Sequence, residues 1–102
     1  MQNLRIAAAM LHTPVGRPED NLAAVVAWTR RAGQAGARLI CFPEMTLTGY
    51  STRGSLADYS LSSGGSVGKT LQQLAEREAM TLLVGTAEPA PGGRVYAAHW
   101  VV

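Results

Sequence analysis

Residues 39–44 read Leu-Ile-Cys-Phe-Pro-Glu, and this short run constrains the chain more than any other. Four apolar residues in succession predict a buried strand, and Pro43, which has no N–H to give to a sheet ladder, must end it. Glu44 is therefore presented just past a strand end. A carboxylate held there between apolar neighbours is desolvated and suited to take up a proton as a general base. By residue type alone, an ordinary exposed loop acid is the commoner case.

The surroundings of this run organise themselves around it. Residues 4–11 are apolar on both faces, the pattern of a central strand in a covered sheet. A Pro- and Gly-containing loop leads to Pro18, well placed as a first helical residue, with Glu19 and Asp20 favourable in the first turn. Leu22, Val25, Val26, Thr29 and Ala32 recur at spacings of three and four, which predicts an amphipathic helix over 18–34. Trp28 lies partly off that stripe, as core rim or as a contact for another chain. Gly33 and Gly36 end the helix, and the strand–helix–strand order implies parallel pairing. Beyond Glu44, residues 45–66 form a long Ser- and Gly-rich connection of the kind that lines sites. Val67, Leu71, Leu74 and Ala75 predict a second amphipathic helix over 66–79. Residues 81–88 and 94–102 then read as a hairpin around a turn at 89–93.

Composition excludes several classes. With 102 residues there is room for one domain at most, and 47% hydrophobic against 16% charged residues describes a globular chain. The net charge of +2 comes from cations scattered along the sequence, so nucleic acid is not implied. Cys41 is the single cysteine, which rules out an internal disulfide and suits a reducing, cytoplasmic compartment. Inside a strand and lacking a basic neighbour, it reads as a small buried hydrophobe, not a nucleophile. The apolar run 6–11 is too short for a membrane span and is followed by His12-Thr13-Pro14, not by a cleavage site. No His, Cys or carboxylate cluster has metal spacing, no cofactor is implied, and His99 reads as a structural residue.

Phe42-Pro43-Glu44 followed by Leu47-Thr48-Gly49-Tyr50 resembles the first signature of the nitrilase, or carbon–nitrogen hydrolase, superfamily. Arg5-Ile6-Ala7, Asn21-Leu22, Ala35-Gly36-Ala37, Leu83-Val84-Gly85 and Val95-Tyr96 follow in the order that family uses. The resemblance implies an α/β fold, a partial α-β-β-α sandwich with one sheet, two helices on one face and an apolar opposite face. It implies that residues 1–102 are the N-terminal part of a carbon–nitrogen hydrolase domain, cut short within the apolar run Trp100-Val101-Val102.

By the same resemblance, the activity is hydrolysis of a non-peptide carbon–nitrogen bond in a small-molecule amide, carbamoyl compound or nitrile. It proceeds through a cysteine thioester, with Glu44 as general base and a lysine stabilising the tetrahedral intermediate. Tyr50 is implied to lie near the substrate, and it also fits a loop anchor. Neither Lys69 nor Cys41 matches the family's lysine or nucleophile, so the isolated chain is expected to be inactive. The competing expectation is a non-enzymatic or split-enzyme module whose apolar sheet face is covered by a second copy or a partner chain. A third reading takes residues 64–70, Gly64-Gly65-Ser66-Val67-Gly68-Lys69-Thr70, as a nucleotide-binding loop. That loop lacks the first glycine of the phosphate-binding pattern, where Ser63 stands, and the buried strand before it.

Overall fold

The computed structural model describes residues 3–51 and 56–102. Four strands, β1 (Ile6–Ala8), β2 (Leu39–Cys41), β3 (Thr81–Ala90) and β4 (Arg94–Val101), form one sheet in the order β1-β2-β3-β4. The first two pairings are parallel and the β3–β4 hairpin is antiparallel. Helices α1 (Pro18–Gln34) and α2 (Ser66–Glu78) make the parallel crossovers, and a short 3-10 helix spans Leu56–Tyr59. The α/β class with two helices packed on one sheet is as the sequence led us to expect. Residues 52–55 of the long connection lie outside the described residues.

Helix α1 starts at Pro18 with Glu19 and Asp20 in its first turn and ends with Arg31 in its last, each favourable to the helix dipole. Both helices stop by the same device. After α1, the N–H of Gly36 (φ +87°) donates to Gly33 O and that of Ala37 to Ala32 O. After α2, Ala79 (φ 51°) donates to Glu76 O and Met80 to Ala75 O. These are Schellman closures, in which a left-handed residue turns the chain back and satisfies the last carbonyls. Gly36 meets that requirement without strain, whereas Ala79 does not. Gly33, expected to help end α1, lies within it.

The main core is built from Val25 of α1, Leu71 and Leu74 of α2, and Ile40, Leu82, Val84 and Trp100 of the sheet. Trp100 is fixed further by its indole N–H, which donates to Glu88 Oε1. Trp28 sits at the rim beside Ala7, Ala9 and Ile40, with the Arg31 guanidinium 5.1 Å from its ring centroid.

Two expectations are corrected. Strand β1 is an edge strand of three residues, not a central one over 4–11. Its pairing extends only to Arg38 N–H on Arg5 O and Ala9 N–H on Cys41 O, because β2 gives it nothing further to pair with once Pro43 is reached. Cys41 is partly exposed instead of buried. The register explains this: Ala8 pairs with Cys41, Cys41 with Leu83 and Leu83 with Val101, a row on the face away from the helices. Ile6 and Val101 on that face are 64% and 75% exposed.

Candidate active site

Glu44 stands where the sequence put it, just past the end of β2, and opens a turn that runs through Thr48. It is exposed, where an apolar enclosure was expected, because the residues after it turn inward while Pro43 and Glu44 face outward. Phe42 and Leu47 insert into the main core, and Met45 packs on Ala87 and Val95 of the hairpin. Met45, Thr46, Leu47, Thr48 and Gly49 are all buried. Tyr50 leaves the far side of this buried run and is 65% exposed. The two predicted site residues thus stand at opposite ends of one turn, both at the surface.

The turn is held by bonds its own sequence supplies. Thr46 Oγ1 donates to Pro43 O (2.6 Å), and the Gly49 N–H donates to Met45 O (2.7 Å). Met45 adopts φ 58°, an uncommon conformation for a side chain of its kind, directly beside Glu44. The sheet holds the turn from below: Leu47 N–H donates to Gly85 O (3.0 Å), and Ala87 N–H donates to Thr48 Oγ1 (3.1 Å). Gly85 lies so close that a Cβ on it would stand 2.6 Å from Pro43 O, 2.7 Å from Met45 N and 2.9 Å from Glu44 Cα. Gly49 (φ +80°) is pressed against the loop before α1, where its Cβ would meet Val15 Cα and N at 2.6 Å. That loop is bonded to the turn through Gly16 N–H on Thr48 O (3.3 Å).

Two structural residues escaped the sequence reading of this site. Asn21 is 1% exposed, and its side-chain amide donates to Pro14 O (2.9 Å) and Leu47 O (3.1 Å). Its signal was its position, four residues before Val25 and eight before Thr29 on the buried stripe of α1, where a polar side chain must find partners. Gly85 was visible as a lone glycine inside a strand, a mark of close backbone approach.

A cavity of about 560 Å³ lies elsewhere, between α2 and the end of β4. Gln72, Glu76, His99 and Trp100 line it, and neither Glu44 nor Tyr50 does. In the glycine-rich loop before α2, the N–H groups of Gly65 and Lys69 donate to Ser62 O and Gly65 O, and Ser63 O faces Gly68. Those amides are therefore not aimed at a phosphate. No group of three His, Cys, Asp or Glu side chains among the described residues is arranged to hold a metal. No helix among them is long and apolar enough to cross a membrane.

Residues 5–102 match the carbon-nitrogen hydrolase family. Over 58 residues the chain is 43% identical to the glutamine-dependent NAD(+) synthetase of Mycobacterium tuberculosis (strain ATCC 25618 / H37Rv), a match that takes in 57% of this chain and 8% of that protein. The fold is similar to an amidase from Nesterenkonia sp. (TM-score 0.73, 22% identity, 92% of this chain and 41% of that one). It is also similar to the glutamine-dependent NAD+ synthetase from Acinetobacter baumannii (TM-score 0.69, 22% identity, 95% of this chain and 18% of that one). The chain thus spans less than half of each of these proteins.

Proposed function

The chain belongs to the carbon–nitrogen hydrolase family, and from that membership we propose that Glu44 is the general base in hydrolysis of a small-molecule amide. The observation that carries the reading is the setting of Glu44: an exposed carboxylate opening a turn whose following residues are buried and bonded on two sides. General-base catalysis needs a proton acceptor held in one place and open to the reacting group. An amide is favoured over a nitrile because the similar proteins are an amidase and glutamine-dependent synthetases.

In this reading, Glu44 takes the proton of a cysteine thiol as the sulfur attacks the amide carbon. It returns that proton to the departing nitrogen as the C–N bond breaks, leaving a thioester. Glu44 then takes a proton from water, which attacks the thioester and frees the acid and the thiol. The thiol and the oxyanion-stabilising lysine are groups other than Cys41 and Lys69. Cys41 lies in β2 on the sheet face, and Lys69 is exposed on α2. Tyr50, at the other end of the turn, contacts the substrate.

The test is ammonia release from simple amides by the protein as its native cell makes it. Glu44→Gln should lower kcat by about 10²–10⁴-fold, and the 102-residue chain alone should release none. Unchanged kcat in Glu44→Gln refutes the role of the residue, and turnover by the chain alone refutes the need for groups outside it.

The open sheet face favours a second reading, a module that associates through Ile6, Leu83 and Val101 with a second copy or a partner chain. Sedimentation of the purified chain as a monomer at all concentrations would remove it.

A further inference from the structure

We infer that Asn21 is the positioning residue for Glu44, the side chain through which α1 sets where the carboxylate stands. The inference rests on the reading of Glu44 as the base and adds the element that fixes it. Asn21 spends its amide on two carbonyls far apart in sequence, Pro14 O at 2.9 Å and Leu47 O at 3.1 Å. It does not cap its own helix: its backbone N–H already donates to Arg17 O, and its side chain points into the protein at 1% exposure.

Leu47 is the key link. Its N–H is held by β3 through Gly85 O, and its C=O is held by α1 through Asn21. With the peptide groups on either side of Leu47 each bonded, neither can rotate without breaking its bond, and Leu47 lies within the turn that Glu44 opens. On the inner side the Gly85 backbone lies so close beneath the turn that a Cβ there would stand 2.9 Å from Glu44 Cα, which leaves no room for Glu44 to sink toward the sheet. On the outer side the Asn21 tie and the loop it carries against Gly49 add to the sheet bonds in keeping the turn from lifting away. Buried amide groups bonded in this way are costly to leave unpaired, so removing the donor frees the turn instead of being absorbed elsewhere.

The experiment compares amide hydrogen exchange in the labelled 102-residue chain with that in Asn21→Asp, which keeps the shape and removes the donors. Leu47, Gly49 and Gly16 should exchange about tenfold faster, while Leu82 and Val102 in the β3–β4 ladder keep their rates. The Glu44 carboxyl ¹³C resonance should shift or broaden in the same variant. Asn21→Ser, which retains one short donor, should lie between the two and serves if Asn21→Asp does not fold. Equal acceleration at Leu82 and Val102 would mean that Asn21 only stabilises the fold, and no acceleration at Leu47 would mean that it holds nothing. Either result overturns the inference. Glu44→Gln separates this inference from the functional reading, because it should lower kcat about 10²–10⁴-fold in the protein as its native cell makes it while leaving all of these exchange rates in the 102-residue chain unchanged.

Discussion

Replacing Gly85 by Ala tests the account of the Glu44 turn most directly. Gly85 lies in β3 outside the positive-φ set, so an alanine there meets no backbone strain. The entire effect must come from the new methyl group. That group would stand 2.6 Å from Pro43 O, 2.7 Å from Met45 N and 2.9 Å from Glu44 Cα, all of them backbone atoms. Backbone cannot swing aside as the end of a long side chain can, so β3 and the turn must separate. Overpacking of this kind costs about 1–3 kcal/mol. The loss of unfolded-chain freedom on going from Gly to Ala returns about 0.4–1 kcal/mol. The net expectation is a loss of about 1–2 kcal/mol, or a fall in Tm of roughly 5–15 °C for a domain of this size. Gly64→Ala is the matched control, since its Cβ would meet nothing within 4 Å. It should be neutral or slightly stabilising. The assay is thermal and urea unfolding of both variants, with exchange at the Leu47 amide as the local readout. Equal Tm values for Gly85→Ala and Gly64→Ala would refute the close approach of β3 to the turn.

Two further substitutions should raise stability. Ala79 closes α2 at φ 51°, a conformation that costs an L-residue about 1–2 kcal/mol, so Ala79→Gly should gain about 0.5–1 kcal/mol in urea unfolding after its entropic cost. A loss on that substitution would show that the closure is not left-handed. Thr29 is fully buried in α1, and its hydroxyl has no hydrogen-bond partner. Thr29→Val keeps the shape and removes the unpaired group, for a gain of about 1 kcal/mol by the same assay. A loss there would mean that the hydroxyl is paired.

What the sequence made legible followed from local signals, and what it hid depended on contacts across the chain. The run Leu39 to Phe42 ended by Pro43 placed Glu44 correctly, because a missing N–H acts at its own position. Pro18 and the three–four spacing of Val25, Val26 and Thr29 gave the bounds of α1. Strand β1 was overestimated because apolar residues continue to Leu11, whereas strand length is limited by the partner, and β2 stops first. The exposure of Cys41 was missed for a related reason. Its class follows from which face it occupies and what covers that face, neither of which is written at residue 41. Asn21 was read only as part of a family pattern, since its role depends on Leu47, distant in sequence and adjacent in space.

The same distinction bears on what the signature itself records. Along Phe42 to Tyr50, most of the residues do structural work: Phe42 and Leu47 fill the core, Met45 packs on the hairpin, Thr46 and Thr48 bond the backbone, and Gly49 admits the loop before α1. Pro43 ends the strand and accepts the Thr46 hydroxyl. Glu44 and Tyr50 are left with polar side chains turned to the surface, beside the exposed Pro43 ring. A match to this stretch therefore reports a scaffold able to fix one carboxylate, and carries no information about the nucleophile or the substrate. It also predicts how failure divides. Changes at the buried positions should act on stability and on the geometry of the turn together, whereas changes at Glu44 should act on chemistry with the fold left intact. Separating those two classes by experiment decides whether this turn is a catalytic device or only a well-packed corner of an α/β sheet.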